Sequence, residues 1–471
     1  MGEAPILYWV RKDLRLADNP ALAELARSGR PVIPVFILDE VFDAYGAAPR
    51  WRFGLGAQHF ASALEKIGSR LTFRRGQALA TLRALIAETG ADVVHWGRAY
   101  DPDQVARDKA VKAALTEDGI DAGSVAGHLL FEPWSAETGT GGFYRVYTPF
   151  WKSVRGRDVA APESAPSRLA APETWPHSED PAEWCLGRSM ARGAEIVAPY
   201  LTLGEAAAKD RLDRFIAEKV DAYDTARDLV AEDGTSGLSE NLAWGEIGPR
   251  TAWAAGFQAF EAGRAGAETF LKELVWREFA YHLVWHTPHI TERNWREDWD
   301  RFPWNGAETA EVTAWKRGRT GMEFVDAGMR EMYVTGRMHN RSRMIVASYL
   351  TKHLMSHWKI GLGWFAECLV DWDPASNAMG WQWSAGSGPD ATPYFRVFNP
   401  ETQVEKFDRN GTYRRRWIAE GQADPPPTAL AYFDAVPRGW TMSAKDPYPA
   451  PIVGAKPGRE RALEAYGNRD F

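Results

Sequence analysis

Apolar residues in the first 130 positions fall into short runs that alternate with amphipathic segments. The runs at 6–10 and 32–38 are almost continuously apolar, which is typical of strands in a parallel sheet covered on both faces. Shorter runs at 71–74 and 92–96 predict two more strands. Helices are predicted over 20–27, 55–67, 78–88 and 104–115. The alternation predicts a doubly wound α/β domain with a parallel sheet over residues 1–130.

The pattern changes twice along the rest of the chain. Residues 131–200 are rich in proline and alanine and predict a linker wrapped on the surface. Residues 201–471 show helical periodicity with little β alternation, which predicts a mostly α-helical second domain. Trp381 and Trp383 fall in one predicted helix, where residues two apart point about 200° from each other. We expect one indole to face the interior and the other an open pocket.

Composition narrows the class of protein without identifying it. The 471 residues are 45% hydrophobic and 25% charged, which is typical of globular domains. The chain begins without a signal-peptide pattern, contains no apolar run of 18 residues, and has only two cysteines, Cys185 and Cys368. We therefore expect a cytoplasmic protein without a structural metal or iron–sulfur cluster. The net charge of −7 provides no global attraction to nucleic acid, although local basic clusters leave a phosphate-binding patch possible.

Tryptophan is far more frequent than in an ordinary globular protein. Of 22 tryptophans, 15 follow residue 240, so they concentrate in the predicted helical domain. Packing alone seldom requires so many indoles in one half of a chain. Stacking on flat rings, or electron transfer between rings, accounts for them better.

Three polar clusters in the second half have spacings that suit a ligand. Residues 234–239 combine glycine with hydroxyl side chains before a predicted helix, which fits either an anion site or an ordinary N-cap. Glu273 and Trp276 share a helical face beside Arg277, which suits a flat anionic ligand but equally a salt-bridged amphipathic helix.

The third cluster follows at residues 337–344. Asn340 and Met344 are four apart and share a helical face, while Arg341 points elsewhere and is free to meet a phosphate. Arg343 is expected to pair with a buried carboxylate such as Asp371.

Taken together, these motifs resemble the photolyase/cryptochrome family. The resemblance rests on WREF at 276–279, MHNR at 338–341, WQW at 381–383, YFRVFNP at 394–400 and WVRKDLR at 9–15. The resemblance covers nearly the whole chain. It is strongest to bacterial class I and class III photolyases, which repair cyclobutane pyrimidine dimers. No single motif is sufficient, but the combination is specific.

The resemblance implies that the helical domain binds FAD and that light-excited reduced flavin donates an electron to the lesion. Asn377 is expected to face flavin N5. Electrons are expected to reach the flavin through Trp304, Trp358 and Trp381, although Trp295 and Trp299 lie close enough in sequence to leave the outermost member open. The implied cofactor-binding residues are Tyr223, Thr235, Ser236, Gly237, Leu238, Ser239, Asn340, Arg343, Asp371, Asp373 and Asn377.

The resemblance also implies a substrate and a way of binding it. The partner is DNA whose pyrimidine dimer is flipped out of the duplex, because a lesion within the stack cannot reach a buried flavin. The protein is expected to act as a monomer, without a membrane and without a metal. The implied DNA-contacting residues are Arg227, Glu273, Trp276, Arg277, Asn340, Arg341, Met344 and Trp383.

Other readings of the same motifs are a cryptochrome-like blue-light receptor and a six-four photolyase. Against a receptor, Asn377 stands where an Asp or Cys is expected, and the chain has no long tail after its last motif. Against six-four repair, Asn340 and Met344 stand where that subfamily has histidines. A single-strand enzyme is disfavoured by Trp383, and a flavoprotein unrelated to DNA stays open.

The sequence constrains the prediction of a second, light-harvesting chromophore least. Folate-binding relatives often have an Asn-Glu pair in the loop after the fourth strand, whereas this chain has Tyr100-Asp101-Pro102-Asp103-Gln104 there. Methenyltetrahydrofolate, a deazaflavin and an empty site are all compatible with this loop.

Overall fold

The first domain is a five-stranded parallel sheet. The computed structural model of the chain describes residues 3–390 and 395–471. All neighbouring strands pair in parallel, in the order β3-β2-β1-β4-β5. The strands are β1 Ile6–Val10, β2 Val32–Leu38, β3 Thr72–Arg75, β4 Val93–Gly97 and β5 Asp121–Val125.

Helices connect these strands and confirm the predicted doubly wound arrangement. The first helix begins where the Asn19 side chain accepts a hydrogen bond from the backbone N–H of Leu22, and it ends at Gly29, whose φ of 71° favours glycine. Both faces of β1 and β2 are buried, as their continuous apolar runs predict. The helices are α1 Pro20–Ser28, α2 Glu40–Asp43, α3 Ala47–Glu65, α4 Ala78–Thr89 and α5 Pro102–Glu117.

The proline-rich linker is docked on the sheet domain over much of its length. The N–H of Val32 donates to the carbonyl of Ala170 at 2.9 Å, and the N–H of Glu179 donates to that of Phe73 at 2.9 Å. The linker contains α6 Tyr147–Val154 and α7 Ala194–Val197. The linker therefore packs on the first domain through backbone hydrogen bonds and does more than connect the two domains.

The remainder of the chain is helical, as predicted. Two helices continue into π-helical turns at Phe215–Lys219 and Tyr349–His353. The helices are α8 Glu205–Arg214, α9 Tyr223–Ala226, α10 Ser239–Ala243, α11 Pro249–Glu261, α12 Ala267–His286, α13 Ala310–Lys316, α14 Glu323–Thr335, α15 Asn340–Ser348, α16 Trp358–Cys368, α17 Pro374–Ala385, α18 Pro400–Phe407, α19 Thr412–Trp417, α20 Pro427–Ala435 and α21 Ala455–Gly467.

A buried ionic cluster fastens the two domains together. Arg52 on α3 bonds to Glu240 on α10 and to Glu246, and all three side chains are fully buried. The two carboxylates outweigh the cost of burying the guanidinium, so the pKa of Arg52 lies above its usual value. Removing one partner of such a pair typically costs about 3–5 kcal/mol. The cluster therefore fixes the start of α10, where residues 234–239 lead into the helix.

Candidate functional site

Three elements converge on the carboxylate of Asp371. The hydroxyl of Ser239 on α10 donates to Oδ2 at 2.8 Å, and Nη2 of Arg343 on α15 lies 2.9 and 2.7 Å from the two carboxylate oxygens. Arg343 also donates from Nε to the carbonyl of Met338 at 2.8 Å. The predicted ion pair between Arg343 and Asp371 is present. It fixes α15 against the segment that leads into α17.

Asp373 and Asn377 extend this surface along the start of α17. Asp373 caps the helix by accepting the N–H of Ser376 at 2.7 Å, and it accepts the hydroxyl of Tyr281 at 2.7 Å. The Asn377 amide donates to the carbonyl of Asp373 at 2.9 Å, which leaves the Asn377 carbonyl oxygen for another partner. We call Ser239, Arg343, Asp371, Asp373 and Asn377 the flavin wall.

The charge of Asp373 is maintained by groups from both domains. Burial opposes ionisation, but the nearby cations Lys12 and Arg277 and the bonds from Ser376 and Tyr281 outweigh it, and the pKa of Asp373 lies below its usual value. Lys12 follows β1 and its Nζ lies 2.8 Å from Asp101. The sheet domain thus contributes a cation beneath the flavin wall, a role that the motif after β1 did not reveal on its own.

The loop over residues 234–239 requires glycine at two positions, one because of a close neighbour and one because of its backbone conformation. A Cβ on Gly234 would lie 2.5 Å from the carbonyl oxygen of Ala226, and Gly237 has a φ of +64°. The carbonyl of Gly237 accepts a bond from Arg211 at 2.6 Å. The loop is therefore held tightly before α10, although its hydroxyl side chains remain partly accessible.

The predicted cofactor residues form a set whose chemistry fits FAD. Hydroxyl and backbone N–H groups of the loop suit a pyrophosphate, and the carboxylates and carboxamides of the flavin wall suit the edges of a polar ring system. Tyr223 is buried between aromatic rings at the edge of this region, and Leu238 is buried beneath the loop. Thr235 and Ser236 are half-buried, and Asn340 is exposed at the first turn of α15.

Trp381 lies behind the flavin wall on α17. Its ring is 3% exposed and meets Phe365 edge-on at a centroid distance of 4.9 Å. A Cβ on Gly361 would lie 2.0 Å from this indole, so only glycine allows α16 to approach the ring so closely. Trp383, two residues later, is half-buried. The prediction that the two indoles face different environments is confirmed.

The other predicted electron carriers continue from the interior toward solvent. Trp358 is fully buried and donates from its indole to Asn294 at 2.7 Å. Trp304 is partly exposed and donates to the carbonyl of Thr351 at 2.8 Å. The ring of His357 lies 5.4 Å from each of these two indoles, so Trp358 and Trp304 are joined by an intervening aromatic ring.

Two charge pairs stand at the predicted DNA-binding side. Arg227 pairs with Glu273 at 2.5 Å, and Arg341 pairs with Asp228 at 2.5 Å while its guanidinium lies over the ring of Phe407. We call these four charged residues the substrate rim. Met344 is half-buried on the same helix as Arg341, 3.7 Å from a guanidinium nitrogen.

Two half-buried indoles, Trp276 and Trp383, lie on the helices α12 and α17, which also contact or carry flavin-wall residues. The ring of Trp276 on α12 stacks on that of Tyr147 with centroids 3.7 Å apart, and Trp383 donates from its indole to the carbonyl of Asp390 at 3.1 Å. Tyr147 and Asp390 were not predicted as functional residues. Tyr147 lies 129 residues before Trp276 in the chain, so no local pattern signals their stack. Asp390 lies seven residues after Trp383, and its contact depends on the turn that follows α17.

Arg277 does not occupy the predicted position. It donates to the carbonyl of His128 at 2.8 Å and contacts the ring of that histidine, and its side chain is only 12% exposed. One residue beyond Trp276 on a helix turns by about 100°, which directs Arg277 toward the first domain. Its charge supports Asp373 and is not presented to DNA phosphates.

The side chains of the loop after β4 bond to other protein groups. Asp101 pairs with Lys12 and accepts a bond from Gln104, and the side chains of Tyr100, Asp101 and Gln104 are all buried. Both bonds go to Oδ2 of Asp101, and its Oδ1 has no hydrogen-bond partner within the described residues. The motif residue Tyr394 lies outside the described residues.

Fold and site together define a two-domain flavoprotein with a sheet domain packed on a helical domain. The chain matches the family described as DNA photolyase over residues 6–167 and the family described as FAD binding domain of DNA photolyase over residues 270–468. It belongs to the photolyase/cryptochrome family.

Individual relatives match along nearly the whole chain. A deoxyribodipyrimidine photo-lyase of Agrobacterium fabrum is 46% identical over 98% of both chains. The crystal structure of a class III photolyase from Agrobacterium tumefaciens superposes with a TM-score of 0.89 and 44% identity, covering 99% of this chain and 98% of that one. Cryptochrome-1 of Arabidopsis thaliana is 31% identical over 98% of this chain and 70% of its own length.

No helix within the described residues combines the length and apolar character needed to cross a membrane.

Proposed function

We propose that this protein is a light-driven DNA repair enzyme that splits cyclobutane pyrimidine dimers. One observation carries the proposal: the two helices that carry the indoles Trp276 and Trp383 are also joined to the flavin wall, α17 through Asn377 and α12 through the bond from Tyr281 to Asp373. Helix α17 carries Asn377 and Trp383, and α12 carries Trp276 and Tyr281, whose hydroxyl bonds to Asp373. A base stacked on these indoles would lie beside the flavin wall.

FAD bound at the flavin wall supplies an electron donor that blue light excites. The residues of this chain hold it there and shape its surroundings. The Arg343–Asp371 pair and the bond from Ser239 fix the polar surface before the cofactor arrives. Asn377 presents its carbonyl oxygen toward a ring edge. Loop residues 234–239, with Tyr223 and Asn340 nearby, hold the remaining polar groups.

On the substrate side, apolar and charged residues have different roles. Trp276 and Trp383 stack on the bases of the flipped dimer and exclude water, and Met344 packs against it. Glu273 accepts hydrogen bonds from the base edges. Arg227 and Arg341 neutralise backbone phosphates, which supplies affinity that falls with added salt.

The three carriers Trp381, Trp358 and Trp304 would pass electrons from an external reductant at the protein surface to bound, oxidised FAD. Trp381 is the inner member and Trp304 the outer one. Trp304 is favoured over Trp299 because Trp299 is only 6% exposed, whereas Trp304 reaches solvent.

The enzyme acts as a monomer on chromosomal DNA in the cytoplasm. Its similarity to the Agrobacterium structure favours class III over class I. A second chromophore, methenyltetrahydrofolate or a deazaflavin, stays a proposal.

The test is blue-light repair by purified protein. Heat should release FAD at close to one per chain. Chemically reduced protein should then convert a thymine dimer in an oligonucleotide to monomers under blue light and leave it intact in the dark. A protein that holds no flavin even after reconstitution, or that leaves the dimer intact in the light, overturns the proposal.

A further inference from the structure

The stack between Tyr147 and Trp276 leaves only one face of the tryptophan available. The two rings are almost parallel, at 6°, with centroids 3.7 Å apart. Tyr147 is the first residue of α6 in the linker, and its ring is buried. A base that stacks on Trp276 must therefore use the opposite face.

Three further contacts fix the Tyr147 ring in place. Its hydroxyl donates to the carbonyl of Lys272 on α12 at 2.6 Å. Its backbone N–H donates to Oδ1 of Asp390 at 3.2 Å, and Phe279 on α12 meets the ring edge-on at 5.9 Å. The ring is thus anchored on the same helix that carries Trp276.

Asp390 connects this arrangement to the second indole. Its side chain accepts the N–H of Tyr147 while its carbonyl accepts the indole N–H of Trp383. Its φ of +52° lies in the left-handed region, which aspartate tolerates better than most residues. Tyr147 and Asp390 therefore join Trp276 on α12 to Trp383 beyond the middle of α17.

We propose that Tyr147 and Asp390 are positioning residues for the dimer, acting through the two tryptophans. They hold both indoles in their binding orientation before DNA arrives, so little side-chain freedom is lost on binding. This inference rests on the proposed function, since it assumes that the dimer stacks on these indoles. It also assigns the linker a part in substrate recognition.

The first test compares two substitutions of one side chain. Tyr147→Leu removes the ring, and Tyr147→Phe keeps the ring but removes the bond to the Lys272 carbonyl. An aromatic pair contributes about 0.5–1.5 kcal/mol, so Tyr147→Leu should weaken dark binding of dimer-containing DNA about 2- to 10-fold. Undamaged DNA should bind as it does to the wild type, and Tyr147→Phe should retain most of the dimer affinity.

A double-mutant cycle separates positioning from a general structural effect. In a Trp276→Ala background, Tyr147→Leu should cause no further loss of dimer affinity, because the residue through which it acts is absent. Equal losses in both backgrounds, or no loss in the wild-type background, overturn the proposal.

Asp390→Ala provides a second variant in case Tyr147→Leu fails to retain flavin. It removes the acceptor for the Tyr147 N–H but keeps the backbone carbonyl that binds Trp383. If Asp390→Ala lowers dimer affinity in the wild type but not in the Trp276→Ala variant, the proposal is supported. Any other combination of results overturns it. If wild-type protein does not prefer dimer-containing DNA, the proposed function itself fails; if it does and the variants match it, only the positioning role fails.

Discussion

The flavin wall and the substrate rim both contain arginine–carboxylate pairs. In the wall the arginine is the more exposed side chain of the pair, and in the rim the carboxylate is. In the wall, the Asp371 side chain is 3% exposed and Arg343 is 21% exposed. In the rim, the acids Glu273 and Asp228 are 30% and 37% exposed, more than their arginines. A buried carboxylate holds its arginine firmly, whereas an exposed and solvent-screened pair is weak. We therefore expect the wall to be fixed before FAD binds, and the rim arginines to exchange their carboxylate partners for DNA phosphates.

The largest expected effect is loss of FAD when the wall is broken. Asp371→Asn leaves the charge of Arg343 without its buried partner, which typically costs about 3–5 kcal/mol. We expect the purified variant to hold less than about a tenth of the wild-type FAD, since that energy corresponds to a factor above 100 in affinity. Heat release and absorbance measure the stoichiometry. Asp228→Asn, which removes a rim carboxylate, is the matched control and should hold normal FAD; full occupancy in Asp371→Asn would contradict the account of the wall.

Trp381→Phe tests the path behind the wall. Light-driven reduction of oxidised flavin by an external thiol should fall to background, because the inner carrier is lost. Repair should persist when the flavin is reduced chemically beforehand. Trp417→Phe is the matched control, since Trp417 is another buried indole of the same core. Normal photoreduction in Trp381→Phe would show that another route carries the electron.

Trp276→Ala tests the apolar surface between the wall and the rim. Base stacking on aromatic residues contributes about 1–3 kcal/mol, so dimer-containing DNA should bind about 5- to 150-fold more weakly. Undamaged DNA should be affected far less. Trp285→Ala, on the same helix but packed against Trp134, should leave dimer binding unchanged. Equal weakening of both DNAs would mean that Trp276 does not contact the lesion.

Glu331 supports the start of α15. This helix carries Arg343 of the flavin wall and Arg341 of the substrate rim, so Glu331 connects the two regions. Its carboxylate accepts the Tyr413 hydroxyl and the N–H of His339. Burial raises the pKa of Glu331 from 4.5 to about 7, although the bonds from Tyr413 and His339 oppose the shift. Between pH 4.5 and about pH 7, Glu331 is therefore protonated in the folded protein and ionised in the unfolded chain.

The free energy of unfolding should therefore fall as pH rises from about 4.5 to about 7. Glu331→Gln should remove about 2–3 kcal/mol of this decline, because the amide does not ionise. Urea unfolding at pH 5 and pH 8 measures the difference. Identical pH dependence in the wild type and the variant would contradict the shifted pKa.

The smallest effect is expected at the rim. Asp228→Asn releases Arg341 from a pair whose carboxylate is 37% exposed and screened by solvent, and such pairs are worth about 0.2–1 kcal/mol. Both damaged and undamaged DNA should bind slightly more tightly, by a factor of up to about 5, with a steeper dependence on salt. Titrations at two salt concentrations measure this. Weaker binding of both DNAs would show that Asp228 orients Arg341 instead of competing for it.

Local patterns in the sequence predicted the framework well. The strands Ile6–Val10 and Val32–Leu38 were predicted with their observed bounds because continuous apolar runs mark buried strands. The strand Asp121–Val125 was missed, since its sequence DAGSV has little β character and its position depends on pairing with β4. The opposite environments of Trp381 and Trp383 followed from helix geometry alone.

Contacts between distant segments could not be predicted in the same way. Arg277 was assigned to DNA because it adjoins Trp276, but its direction depends on how α12 packs against His128. Lys12 reaches the flavin wall only because the sheet domain docks there. The stack of Tyr147 on Trp276 depends on the path of a linker whose sequence shows no regular pattern.

The most direct test of the account offers the protein two lesions at once. Chemically reduced protein is mixed with equal amounts of two oligonucleotides, one with a cyclobutane thymine dimer and one with a six-four lesion, and illuminated with blue light. Chromatography then measures both. We expect thymine monomers to appear from the cyclobutane dimer while the six-four lesion stays unchanged. Repair of the six-four lesion alone, or of neither lesion, would contradict it.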